Sequence, residues 1–274
     1  MHLLKNLLFA VLVFYLPACM AQSIPTVAAA SDLKFALEEI AANYKADKGR
    51  DLKMVFGSSG VLWQQIKNGA PFAIFLSADE AYIDDLHKYG ITLDGGSLYA
   101  IGRIVLLGKK NSQIKLSPDK ESLIKAIQVA KKIAIANPDH APYGRAAKEF
   151  LMSMGVWDLI EPKLVFGENI SQATIFALTG SADFAISALS LATAPAIKSQ
   201  ATYVLIPDQL HKPLKQKMVL IKKPAASARD FYQYLQEPIK TTAIFHPAYL
   251  LRQPMKKKDT WYDLLKIQKI ISAL

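Results

Sequence analysis

The chain has a single cysteine, Cys19, among 274 residues. That excludes an intramolecular disulfide framework and any CxxC metal pair. Its five histidines are scattered without ligand spacing, so a metal centre finds no support. None of them stands in a triad context, so no serine has an evident catalytic base. Beyond the first residues, no segment offers the run of about 20 uncharged apolar residues that a membrane-spanning helix requires. RNP-like aromatic motifs, zinc fingers and a basic helix in the body are also missing. The high isoelectric point, near 9.4, therefore does not indicate nucleic-acid binding. No repeat of fixed period emerges.

What is present is apolar material in quantity, 51% of the residues, enough for the cores of one large or two medium domains. Residues 1–21 read as a secretory signal peptide: Lys5 sits in a short positive start, and Leu7 to Leu16 form an apolar core that ends at Pro17. Two processing sites compete. Leu16-Pro17-Ala18-Cys19 resembles a lipobox with Cys19 as the lipidated residue, and Cys19-Met20-Ala21 resembles an ordinary small-residue cleavage site. Ordinary cleavage fits better, because Pro17 is unusual just before a lipobox alanine. The formal charge of +10 is unevenly placed. In residues 252–274, six basic side chains face only Asp259 and Asp263. This tail can form an amphipathic helix from Asp259 to Ala273, with Trp261, Leu264, Leu265 and Ile271 on one face. Packing on its own domain and binding a membrane surface are both open to it.

Between these ends, β-type runs alternate with helical patterns, the signature of an α/β fold. Expected strands are Leu52–Phe56, Ala73–Ser77, Lys132–Ala136, Lys163–Phe166, Asp183–Ala188, Tyr203–Ile206 and Met218–Ile221, with one long apolar strand over Ser97–Leu107. Helices are expected over Leu33–Tyr44, from Val61 to Asn68, and over Ala78–Tyr89, Lys120–Val129, Arg145–Met154, Ile170–Leu178, Ser190–Ala194, Pro224–Tyr234 and Pro238–Phe245. The long strand and Met218–Ile221 are natural crossovers between two lobes. Lobe 1 is then residues 24–102 plus about 212–250, lobe 2 is about 103–211, and 251–274 is an extension.

Five strand-to-helix junctions carry small or hydroxyl residues: Ser31, Ser58-Ser59-Gly60, Tyr143-Gly144, Ile170-Ser171 and Ala188-Leu189-Ser190. A serine there is most often a helix cap, worth about 1 kcal/mol. Recurrence in both lobes, with Gly57, Gly60, Gly144 and Gly167 nearby, favours a second reading. Backbone N–H groups at helix starts, beyond the carboxyl ends of the strands, form an anion site. Neither serine junction contains Lys or Arg, so such a site holds its anion with neutral donors alone and offers it no acceptor. His140 and Arg145, beside Tyr143, read as a solvated loop histidine and an exposed helix arginine. Asp79 and Glu80 read as acids at the positive end of a helix.

Several segments resemble the periplasmic molybdate-binding proteins of ABC-type importers. These are Val27-Ala28-Ala29-Ala30-Ser31-Asp32-Leu33, Phe56-Gly57-Ser58-Ser59-Gly60, Gln65 to Pro71, Phe75-Leu76-Ser77-Ala78-Asp79, Asn137 to Gly144, Glu168-Asn169-Ile170-Ser171-Gln172-Ala173 and Gly180-Ser181-Ala182-Asp183. The likeness spans about residues 24–250. It implies a bilobed periplasmic-binding-protein fold, two mixed-sheet α/β lobes joined by two crossover segments, that closes by hinge motion on molybdate or tungstate. It also implies a periplasmic monomer that delivers its ligand to ABC permease subunits, with no catalytic residue, no cofactor and no directly bound metal cation. Carried over by position, Ser31 and Ser59 would each offer a hydroxyl and an amide, and Tyr143 and Ile170 their amides. The family's fifth contact, a tyrosine hydroxyl in some members, falls on Ala188, leaving Ser58, Ser187 and Ser190 as secondary candidates. The alternatives are a binding protein for another tetrahedral oxyanion such as sulfate, and an exported phosphoryl- or sulfuryl-transfer enzyme using the same cleft.

Overall fold

In the computed structural model, the described residues are 24–112, 116–117 and 119–236. The signal segment with Cys19, the expected helix at Pro238–Phe245 and the basic extension lie outside them. Ten strands form two five-stranded sheets. The first contains β1 (Thr26–Ala30), β2 (Lys53–Gly57), β3 (Ile74–Ser77), β4 (Ser97–Gly102) and β10 (Leu214–Leu220), in the order β2-β1-β3-β10-β4. The second contains β5 (Ile104–Lys109), β6 (Ile133–Ala136), β7 (Leu164–Gly167), β8 (Phe184–Ala188) and β9 (Ala201–Leu205), in the order β7-β6-β8-β5-β9. Each sheet is parallel through its first three strands, and the fourth runs antiparallel to its neighbours. The two lobes therefore share one topology. The chain leaves the first through β4, enters the second on β5, and returns from β9 to β10.

The expected single strand over Ser97–Leu107 is two strands. It breaks at Arg103, where β4 pairs with β10 in one sheet and β5 pairs with β8 and β9 in the other. Periodicity could not mark this break, because both halves are apolar. Their environments differ: β4 lies at a sheet edge and is half-buried, whereas β5 is central and fully buried up to Lys109. Central strands covered on both faces read as unbroken apolar runs, as Ile133-Ala134-Ile135-Ala136 also does.

The helices are α1 (Lys34–Lys48), α2 (Ser59–Lys67), α3 (Glu80–Lys88), α4 (Lys120–Val129), α5 (Pro142–Ser153), α6 (Trp157–Ile160), α7 (Ile170–Thr179), α8 (Leu189–Thr193), α9 (Pro195–Lys198) and α10 (Ala226–Gln236). Short α6 and α9 carry too few turns for a periodic signal and were not expected. Several helix starts also differ from expectation, three of them for a visible reason. A 3-10 turn, Ser31–Leu33, precedes α1. Asp79 caps α3 by accepting from the Ala81 amide, so that helix begins at Glu80 rather than Ala78. Pro142 takes the first position of α5, where its fixed φ and missing N–H cost nothing. Tyr143 and Gly144 thus lie inside the first turn rather than leading into it.

β1 shows how the sheet joins the layers. Val27 and Ala29 pack among Leu37, Ile40, Phe231 and Tyr234 on one face, and Ala28 packs with Leu62, Ile83 and Leu86 on the other. Ala30, the last residue of the strand, already belongs to the core of the second lobe. The carboxyl ends of the two sheets therefore face each other.

Close approach of α5 to β6 depends on Gly144. A Cβ there would collide with the Ala136 carbonyl, which is backbone and cannot swing aside. Gly144→Ala is expected to destabilise the protein by about 1–3 kcal/mol, as overpacking does, seen as a drop of several degrees in melting temperature by circular dichroism.

Candidate functional site

Strand carboxyl ends and helix starts from both lobes meet around one cavity. The empty space within it is about 180 Å³, part of which is open solvent. Ser31, Asp32, Ser58 and Ser59 from the first lobe, and Tyr143 and Ile170 from the second, line it.

The serine-led starts are not ordinary caps. No side chain caps the Ser31 turn, α2 or α5. Ser58 occupies the N-cap position of α2, yet its hydroxyl lies 2.8 Å from His140 Nδ1 across the cleft. Ser59, wholly buried, accepts from the Ala78 amide at 2.9 Å. A hydroxyl has one donor and two acceptor lone pairs, so that bond leaves its O–H free for the cavity. Ser31 Oγ accepts from the Ser171 amide at 3.4 Å, with the same consequence. On α7, the Asn169 side chain caps the Gln172 amide and leaves Ile170 at the first helical position. Three helix N-termini therefore point partial positive charge and amide donors at one spot.

The structure brings together Ser31, Ser58, Ser59, Tyr143 and Ile170. Ala188, Ser187 and Ser190 are not among the residues lining the cavity. Ala188 is fully buried, paired in register with Ile104. The Ser187 hydroxyl is 2.6 Å from Thr174 Oγ1 in the core. Ser190 Oγ donates to the Asp32 carbonyl at 2.9 Å and so ties α8 to the other lobe.

A residue with a carboxyl, Asp32, also lines the cavity. Its carboxyl is buried where the lobes meet, and Oδ2 accepts from Tyr143 Oη at 3.0 Å and from Gln216 Nε2 at 2.9 Å. Gln216 faces inward by the ordinary alternation of β10, between the buried side chains of Leu214 and Met218. Asp32 Oδ1 has no hydrogen-bond partner. Burial pushes the Asp32 carboxyl up to about 6, against the bonds from Gln216 and Tyr143 that pull it down. Tyr143 and nearby Tyr99 are raised well above the usual phenol range, first by burial and then by the negative charge of Asp32. Sequence reasoning passed over Asp32, though a carboxylate directly after an apolar strand was the available signal.

His140 and Arg145 are also not the solvated side chains expected. They form a clasp across the cleft mouth. The His140 carbonyl accepts from the Gly60 amide at 2.9 Å, and a Cβ at Gly60 would collide with that oxygen. Arg145 pairs with Asp79 and donates to Tyr82 Oη at 3.0 Å, its guanidinium over the Tyr82 ring. Asp79 thus both caps α3 and anchors the opposite lobe. The sequence could not show this, because its partner lies 66 residues away. Among the described residues no cluster of His, Cys, Asp and Glu suits a metal ion, and no carboxylate orients His140.

A family model for bacterial extracellular solute-binding proteins matches residues 25–247. The chain is 36% identical to the molybdate-binding protein ModA of Rhodobacter capsulatus over 226 residues, covering 81% of this chain and 86% of that one. It is 34% identical to ModA of Azotobacter vinelandii, covering 83% and 90%. The solved Azotobacter vinelandii periplasmic molybdate-binding protein superposes with a TM-score of 0.72 at 30% identity, covering 80% of this chain and 96% of that one.

The clasp holds the lobes together without lining the cavity. Arg145→Gln is expected to speed ligand release roughly fivefold, the equivalent of about 1 kcal/mol for a half-exposed pair, with association little changed in stopped-flow measurements.

Proposed function

Because the chain belongs to the bacterial extracellular solute-binding proteins, we propose that its cleft captures molybdate or tungstate outside the cytoplasmic membrane and delivers it to an ABC permease. The observation that carries this reading is the convergence of uncapped helix starts and two free serine donors, from both lobes, on one small cavity. The close relatives named as molybdate-binding proteins support the choice of ligand.

A tetrahedral dianion presents only acceptors, so amides and hydroxyls satisfy it without a counter-charge. Charge-assisted hydrogen bonds contribute about 1.5–3 kcal/mol each. Lost translational freedom and desolvation of the anion offset much of their sum, leaving roughly −8 to −12 kcal/mol, micromolar to nanomolar affinity. Ser31 and Ser59 would donate through hydroxyl and amide, and Tyr143 and Ile170 through their amides. Ala188, buried behind the lining, would support the wall. Molybdate and tungstate are larger than sulfate, so cavity size would separate them. The cleft closes by hinge motion at the two crossovers, and the clasp of Arg145 and His140 belongs to the closed form.

The Ser58–His140 pair is a cross-lobe contact rather than a nucleophile and base, since a triad needs a third group to orient the histidine. The protein would act as a periplasmic monomer after cleavage behind Ala21.

Titration calorimetry with molybdate, tungstate, sulfate and phosphate tests the reading. Ser31→Ala and Ser59→Ala are each expected to weaken molybdate binding by about 1–3 kcal/mol. Unchanged affinity in both, or no heat from either group-six oxyanion, would overturn it.

A further inference from the structure

A donor-lined cavity with a buried carboxyl at its wall is electrostatically inconsistent unless that carboxyl changes state. Asp32 comes from the first lobe, yet its burial depends on the second: Tyr143 of α5 donates to its Oδ2, and Ser190 of α8 holds its backbone carbonyl. Opening the cleft would withdraw both and return the carboxyl to water. The groups around it are Tyr143 on α5, Tyr99 on β4, whose hydroxyl donates to the Ser77 carbonyl at 3.2 Å, Gln216 on β10 and Ser190 on α8. Asp32 takes part in no ion pair among the described residues. Its Oδ1 is left without a partner. A buried carboxyl with one oxygen doubly bonded and the other bare has room for a proton on the bare one.

The geometry points to Asp32 as a proton-linked positioning residue: closure of the lobes on a dianion draws one proton onto its carboxyl. This rests on the oxyanion reading above and goes beyond it. The sign follows from burial. In the open form the carboxyl titrates near the usual value of about 3.9. In the closed form burial holds it near 6. A dianion in the same cavity disfavours the charged carboxylate further. The closed, liganded form therefore binds more protons over this range, and closure is favoured as pH falls through it. The proton comes from solvent and leaves when the lobes open, so release is easier at higher pH.

The proton is counted by calorimetric titration of the purified protein with molybdate at pH 6.5, in two buffers of different ionisation enthalpy. The oxyanion itself is fully deprotonated near neutral pH. The parent protein is expected to take up at least about a quarter of one proton on binding at this pH, and its Kd to rise by up to tenfold per pH unit between the free and bound ionisations of Asp32. Asp32→Asn mimics the protonated acid; it should bind without proton exchange and with little pH dependence. His140 also lies at the cleft, 2.8 Å from Ser58, and His140→Gln should leave the uptake in place. Heat identical in both buffers for the parent overturns the linkage alone, as does uptake that persists in Asp32→Asn or vanishes in His140→Gln. Phosphate bound more tightly than molybdate also overturns it, since Asp32 would then stay ionised and accept a ligand hydroxyl. Absence of binding by every oxyanion overturns the oxyanion reading itself.

Discussion

Everything in this molecule turns on backbone amides that a helix cannot satisfy for itself. The first turn of every α-helix leaves N–H groups without intrahelical partners. Here the starts of α2, α5 and α7 place theirs around one cavity, two of them without side-chain caps. Two sheets of identical topology, facing each other across their carboxyl ends, make this arrangement possible. One lobe alone presents half a cage. The second supplies the rest and, through His140, Tyr143 and Arg145, the contacts that hold the halves together.

Asp32 complicates that picture in a productive way. A site built only from donors would hold a dianion at any pH at which the anion keeps its charge. A carboxyl buried between the lobes makes closure sensitive to protons, because desolvation penalises the charged form. Gln216, facing inward from β10, and Tyr143, which also belongs to the cavity, bind the same carboxyl oxygen. Anion capture, lobe contact and ionisation are thereby carried by the same few residues. The clasp at the mouth is of another kind: it is partly exposed and charged, and it joins the surfaces of the two lobes.

Legibility in the sequence followed the range of the interactions. Strand and helix positions that depend on local periodicity and caps were readable, such as α4 at Lys120–Val129 and the glycine stop of α1 at Gly49. The break at Arg103 was not, because pairing partners 80 residues onward and beyond decide where β4 ends and β5 begins. At the cavity, Ser31, Ser59, Tyr143 and Ile170 could be picked from their junctions. The roles of Asp32, His140 and Arg145 could not, since each acts on a residue of the other lobe.

By itself, then, the sequence determined the alternation of elements, the two-lobe class and the residues at the helix starts. Those follow from hydrophobic period and capping chemistry. Tertiary structure decided which hydroxyls keep a free donor, where Ala188 sits, and that the Asp32 carboxyl is buried where the lobes meet. Burial and long-range pairing govern these outcomes, and neither is encoded in any stretch of neighbouring residues.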